Sequence, residues 1–126
     1  MIIQITKGTD CKVKFKIYRD YVKREPIDLS NYIDLICVVT EQENLLIEKK
    51  FSTNGIMIDY DNNQNQIKNT VTVLFNPEDT KQLKPNPARE DRIRLIEIFG
   101  IDNNKKITRF YHGPFYLEGS RYKVRL

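Results

Sequence analysis

The chain has no tryptophan, one histidine, two cysteines, five glycines and five prolines in 126 residues. Each scarcity excludes something. His112 stands alone between Tyr111 and Gly113, with no Cys or Asp at a fixed spacing. That gives neither a metal cluster nor a base with its orienting partner. There is no nucleophile elbow, no glycine-rich phosphate loop, no HExxH and no CxxC. The chain therefore reads as a non-enzyme with no cofactor and no metal. Cys11 and Cys37 fall at apolar positions of strand-like runs, as reduced thiols acting as small hydrophobes do. A disulfide between them requires adjacent strands in register. Long apolar runs are missing too. The most apolar stretch, Ile33 to Val39, is short and interrupted by Asp34, too short for a membrane span. The opening MIIQITKG lacks the basic start and apolar core of a secretory signal. The expectation is a protein kept in a cytoplasm, or in a particle assembled there, with no membrane partner.

What is present is ordinary for a folded domain: 40% apolar and 30% charged residues, with a net charge of +4. The length fits one domain over residues 1–126. The positive charge is spread along the chain, so nucleic acid is not expected as a partner. No internal repeat or low-complexity linker divides it.

The most informative stretch is Thr70 to Leu83. Val71, Val73 and Phe75 alternate with Thr72 and Leu74, the period of a half-buried strand. Asn76 then offers an N-cap and Pro77 a first helical position. Asp79 stands where a capping box places Glu or Gln, making the box approximate. One short helical turn near 77–83 follows, which must dock through Leu83 because it cannot stand alone. Elsewhere the signals are strands. Cys11, Val13, Phe15 and Ile17 alternate with Lys12, Lys14, Lys16 and Tyr18. In Tyr32 to Thr40 both faces are apolar, with Ile36 and Val38 opposite Leu35, Cys37 and Val39. Such a strand is covered on both sides, one cover being a neighbouring subunit. Arg92 to Phe99 has a phase conflict, which a bulge near Ile96 or burial on both faces resolves. Thr108 to Tyr111, Pro114 to Glu118 and Tyr122 to Leu126 close the chain. About eight or nine short strands with polar turns make an all-β sandwich.

The candidate site residues follow from this pattern. Tyr18, Tyr32, Tyr60 and Tyr116, with Ile36 and Val38, form the candidate protein interface. Lys12, Lys14 and Lys16 form a candidate basic patch, with Arg92 and Arg94 or Lys123 and Arg125 as further stripes. A solvated face, or lysines guarding a strand edge, explains them as well. Asp59 to Asn65 alternates oxygen ligands as a calcium loop does. However, Gln64 and Thr70 occupy the positions that need Gly and Glu, so it reads as a polar hairpin tip.

The order of features resembles one family. Gly8-Thr9-Asp10 follows the opening strand, and a loop reads Pro26-Ile27-Asp28-Leu29-Ser30. Gly55-Ile56, then VTVLFNPEDTKQL, then Gly113-Pro114-Phe115 complete the series. This resembles the immunoglobulin-like N-terminal domain of phage baseplate upper proteins and related tail and fibre proteins. Two departures stand out. Pro85-Asn86-Pro87-Ala88-Arg89 replaces the family's Gly-x-Tyr, and the sequence stops at Leu126 where family members continue into helical or receptor-binding segments. The resemblance implies an antiparallel immunoglobulin-like β-sandwich serving as a structural subunit of a virion. Its place would be a tail, baseplate, collar or fibre-attachment adaptor. Its partners would be other virion proteins, in a homo-oligomer or a symmetric ring or fibre. Two alternatives stay open: a capsid auxiliary or head-fibre protein, and a carbohydrate-binding module using its tyrosines.

Overall fold

The computed structural model describes residues 3–19, 25–60, 67–86 and 93–119. Eight strands run β1 Ile3–Thr6, β2 Cys11–Lys16, β3 Tyr32–Glu41, β4 Asn44–Lys50, β5 Ile56–Asp59, β6 Thr70–Phe75, β7 Leu95–Asp102 and β8 Ile107–Glu118. An α-helical turn, α1, spans Pro77–Thr80, and short 3-10 turns cover Leu29–Asn31 and Phe51–Thr53. The strands form two sheets, one of five in the order β1-β8-β7-β3-β4 and one of three in the order β2-β6-β5. Strands two, five and six thus oppose the rest, as in an immunoglobulin-like sandwich. Among the described residues all strand pairings are antiparallel except one: β1 runs parallel to β8, with Ile3 opposite Phe115 and Leu117 opposite Ile5.

Alternation along the strands builds the core. Phe15 on β2 and Val71, Val73 and Phe75 on β6 face Leu35, Cys37 and Val39 on β3 and Ile96 and Ile98 on β7. Each fully buried aliphatic side chain there contributes roughly 2 kcal/mol of transfer free energy. The predicted loop around Pro26 is tucked down as its apolar residues require. Leu29 is buried, and Ile27 packs half-buried against the core. Asp28 caps the turn by accepting from the Ser30 backbone and hydroxyl at 3.1 and 2.6 Å.

The capped turn after β6 is complete where the sequence reads as approximate. Asn76 Oδ1 accepts from the Asp79 N–H at 3.2 Å, and Asp79 Oδ2 accepts from the Asn76 N–H at 2.8 Å. An Asp carboxylate therefore closes the box here. Leu83 N–H donates to Thr80 O at 3.0 Å, and the Leu83 side chain packs half-buried on the core.

Two strand expectations are corrected. β7 needs no bulge at Ile96: Ile96 and Ile98 point inward, while Leu95 is 42% and Ile93 71% exposed. The register shift lies further on, between Ile98 and Phe99, where Phe110 is the extra residue of β8. The expected break at His112-Gly113 is absent, and β8 is one strand of 12 residues. Pro114 is tolerated because Phe115 N–H donates to Arg94 O on the β7 side. The Pro114 nitrogen therefore points the other way, next to where the β1 pairing starts. The expected strand over Tyr122 to Leu126 lies outside the described residues.

Candidate docking surface

The five-stranded sheet has an inner face in the core and an outer face in solvent. Register fixes what the outer face carries. Ile36 lies opposite Lys50 on β4 and Phe99 on β7. Val38 lies opposite Glu48 and Glu97, and Thr40 opposite Leu45 and Leu95. On β8 these rows continue to Arg109, His112 and Pro114. Side chains alternate across a strand, so these residues share one surface. Ile36, Val38 and Phe99 are half-buried at its centre. Leu45, Leu95 and Ile107, at 56%, 42% and 64% exposure, carry the apolar surface outward. Val38 joins these residues across a row that also carries Glu48, Glu97 and His112.

The charges on this face are paired within it. Arg109 Nη1 donates to Glu97 Oε2 at 3.2 Å, and Lys50 Nζ lies 3.6 Å from Glu48 Oε1. Asp34 Oδ1 accepts from the Leu35 and Ser52 N–H groups, and Oδ2 accepts from the Ser52 hydroxyl. Exposed pairs of this sort contribute little stability. Two carboxylates of the face, Glu97 and Glu48, thus lie beside cations, and Asp34 is held by neutral donors. Glu97 points outward by plain alternation, with no bulge turning it.

The predicted interface residues separate. Ile36 and Val38 are together on this face. Tyr116 also reaches it, at the β1 side, where it pairs with Gln4. Tyr32 turns away: it packs against the core cluster, edge-on to Phe110 with ring centroids 5.2 Å apart. Tyr18 lies past the end of β2, bridged to Pro26. Tyr60 follows β5, with Lys68 Nζ 5.5 Å above its ring. The tyrosines therefore make no common platform. Sequence reasoning missed Leu95 and Phe99, because the phase conflict in β7 hid which of its residues face out, and Ile107 of β8, whose place depends on the register with β7.

Lys12, Lys14 and Lys16 are exposed on the outer face of the other sheet, along β2, which pairs only with β6 among the described strands. They sit opposite Leu74, Thr72 and Thr70. Both threonines are buried although they face outward, as expected beneath long lysine stems. Arg94 is a correction. It is 3% exposed and belongs to no surface stripe. Its Nη1 donates to Asn86 Oδ1 at 2.9 Å and its Nε to Glu41 Oε1 at 3.2 Å. Arg92, Lys123 and Arg125 lie outside the described residues, as does most of the Asp59 to Asn65 run. Among the described residues no three His, Cys, Asp or Glu side chains gather as a metal site.

Both cysteines are free, Cys37 buried and Cys11 half-buried, on strands of different sheets. Burial pushes the Cys37 thiol up to about 12, tempered by the nearby Lys49 ammonium. Burial also raises Tyr111, whose ring packs on Phe15 at 4.8 Å. The Ser30 hydrogen bonds hold Asp28 below the usual carboxylate range.

No protein-family model matches the chain, and no curated protein matches it. Among solved structures it is similar to murine CRIg, at 7% identity over 94% of this chain and 92% of that one, with a TM-score of 0.35. So distant a likeness carries no functional argument, and the fold assignment rests on strand order and pairing.

Proposed function

We propose that the chain is a non-enzymatic structural subunit of a bacteriophage particle, docking through the outer face of its five-stranded sheet. One observation carries the docking: the two central strands, β3 and β7, present Ile36, Val38, Leu95 and Phe99 to solvent side by side. Apolar residues at the centre of a sheet face, with charged groups paired around them, match the anatomy of a protein interface. The phage assignment comes from the motif order, with Gly8-Thr9-Asp10 leading and the capped Asn76 to Thr80 turn as its most specific mark. His112 and the Asp59 run have no part in this reading.

The test is composition. Particles assembled from the genome that carries this gene are purified and analysed by mass spectrometry, and the chain is located by electron microscopy. The proposal expects a fixed copy number at the tail, baseplate, collar or fibre attachment. Density on the head moves the subunit to the capsid. Absence from purified particles ends the reading.

A further inference from the structure

We propose that the edge of β2 takes up an extended acidic segment of another protein, which joins the three-stranded sheet as a further strand. This edge belongs to the other sheet and does not depend on the docking reading above.

The backbone comes first. The β2–β6 register runs unbroken from Cys11 opposite Phe75 to Lys16 opposite Thr70. One residue further, Ile17 N–H donates to Asn69 O at 2.9 Å. Hydrogen-bonded residues alternate along an antiparallel pair, so Cys11, Val13, Phe15 and Ile17 bond toward β6. β6 agrees: Leu74 N–H donates to Gly55 O at 3.0 Å on the β5 side, which leaves Val71, Val73 and Phe75 for β2. The N–H and C=O groups of Lys12, Lys14 and Lys16 therefore point away from β6, along an edge that no other described strand covers. β2 has neither a proline nor a bulge, the devices that close an edge to any strand.

The side chains then select the partner. Lys12 and Lys14 are exposed, about 6.8 Å apart along the strand. Among the described residues no carboxylate pairs with either. The carboxylate on the rows of this face, Asp59, is two strands away opposite Thr70, and its Oδ1 accepts the Tyr60 N–H at 2.7 Å. An incoming strand with Asp or Glu at alternate positions sets a carboxylate beside each ammonium while its backbone completes the ladder. Lysines turn away a strand without countercharge, a second β2 included. No described strand of this chain has carboxylates two residues apart, so the segment comes from a different protein.

The other edges suit this less. β1 and β5 have four residues each, and β4 carries Glu48 beside Lys50, which selects neither sign. Beside the lysines, the rows of the β2 face hold Leu74, Thr72, Thr70 and Met57. With no ring among them there is no platform for stacked bases, so a protein strand fits better than a nucleic acid strand.

NMR titration of the full chain with synthetic peptides tests this. The probe alternates Glu with Thr over roughly six to eight residues, the length of an ordinary strand. The expected result is a Kd of roughly 0.1–1 mM, with slowed exchange of the Lys12 and Lys14 amides. Reversing both charges, Lys12→Glu with Lys14→Glu, weakens binding at least about tenfold and turns the preference to a peptide alternating Lys with Thr. The Glu peptide N-methylated on the residues that face β2 keeps its charge, loses the ladder and does not bind. Equal binding of the methylated peptide overturns strand addition, since the lysines then act as a charge patch alone. No binding at about 5 mM overturns the proposal, as does an unchanged Kd in the reversed variant. Tighter binding of an oligodeoxythymidylate of equal charge overturns the choice of an acidic protein segment.

Discussion

Lys49 Nζ lies 2.7 Å from Asp79 Oδ2, with the two side chains only 13% and 16% exposed. The pair ties β4 of the larger sheet to the turn that follows β6 of the smaller one. The same Asp79 oxygen accepts the Asn76 N–H at 2.8 Å, so one carboxylate serves as ion-pair partner and helix cap. The two residues are therefore unequal. Asp79→Ala leaves a half-buried ammonium unmatched and an N–H without its acceptor, and should cost about 2–4 kcal/mol. Lys49→Met keeps the apolar stem and leaves Asp79 its capping role, and should cost about 1 kcal/mol. Urea denaturation of both variants gives the order, and equal costs would contradict it.

Asn86 and Asn69 are both fully buried but should respond oppositely to mutation. Asn86 donates from Nδ2 to Phe115 O, and its Oδ1 accepts from Leu117 N–H and Arg94 Nη1. Asn86→Ala strands all of these groups and should cost about 3–5 kcal/mol. Neither side-chain polar atom of Asn69 has a partner among the described residues. Asn69→Leu therefore removes no hydrogen bond and should be neutral or stabilising by about 1 kcal/mol. Melting temperatures of the two variants decide it. A severe loss in Asn69→Leu would mean that its amide is bound.

Gly100 is opposite Thr108 on β8, next to the extra residue of the bulge. A Cβ there would clash with the Phe110 ring and come within 3.0 Å of Tyr32. Gly100→Ala should cost about 1–3 kcal/mol through overpacking. In a Phe110→Ala background the closest obstruction is gone and only the Tyr32 contact remains, so the same change should cost clearly less. A double-mutant cycle measures the difference, and additive costs would contradict the steric account.

Alkaline stability should depend on Cys37. Its thiol is raised in the folded state from 9.0 to about 12. The unfolded chain therefore releases that proton first, and stability falls as pH rises between about 9 and 12, with nothing lost below. The slope from one proton is at most about 1.4 kcal/mol per pH unit. Cys37→Val should lose stability more slowly across that window than the wild type, while the raised Tyr111 acts alike in both. Identical slopes would contradict the assignment.

Some of this architecture was legible in the sequence for definite reasons. Strict alternation placed Lys12, Lys14 and Lys16 outward and Val13, Phe15 and Ile17 inward, because a half-buried strand leaves its period in the residues. Asn76-Pro77 announced the end of β6 for the same local reason. Ile36 and Val38 stood out because apolar residues on a sheet's solvent face break that period. What stayed hidden was non-local. The parallel pairing of β1 with β8 joins the two ends of the chain and has no local mark. Arg94 reads as a surface charge until Asn86 and Glu41 surround it. Gly113-Pro114 reads as a break until the neighbouring strands show which side lacks a donor. Leu95, Phe99 and Ile107 joined the face only once the register of β7 was known.

The most direct test of the docking claim is a double variant, Ile36→Glu with Val38→Lys, followed for incorporation into particles. Each new charge is placed beside its opposite. Ile36 neighbours Lys50, and Val38 lies between Glu48 and Glu97, so cross-strand attraction supports the fold. The account predicts a chain with an intact near-ultraviolet spectrum and a cooperative melt that no longer enters the particle. A variant that folds and is still incorporated at wild-type copy number contradicts it.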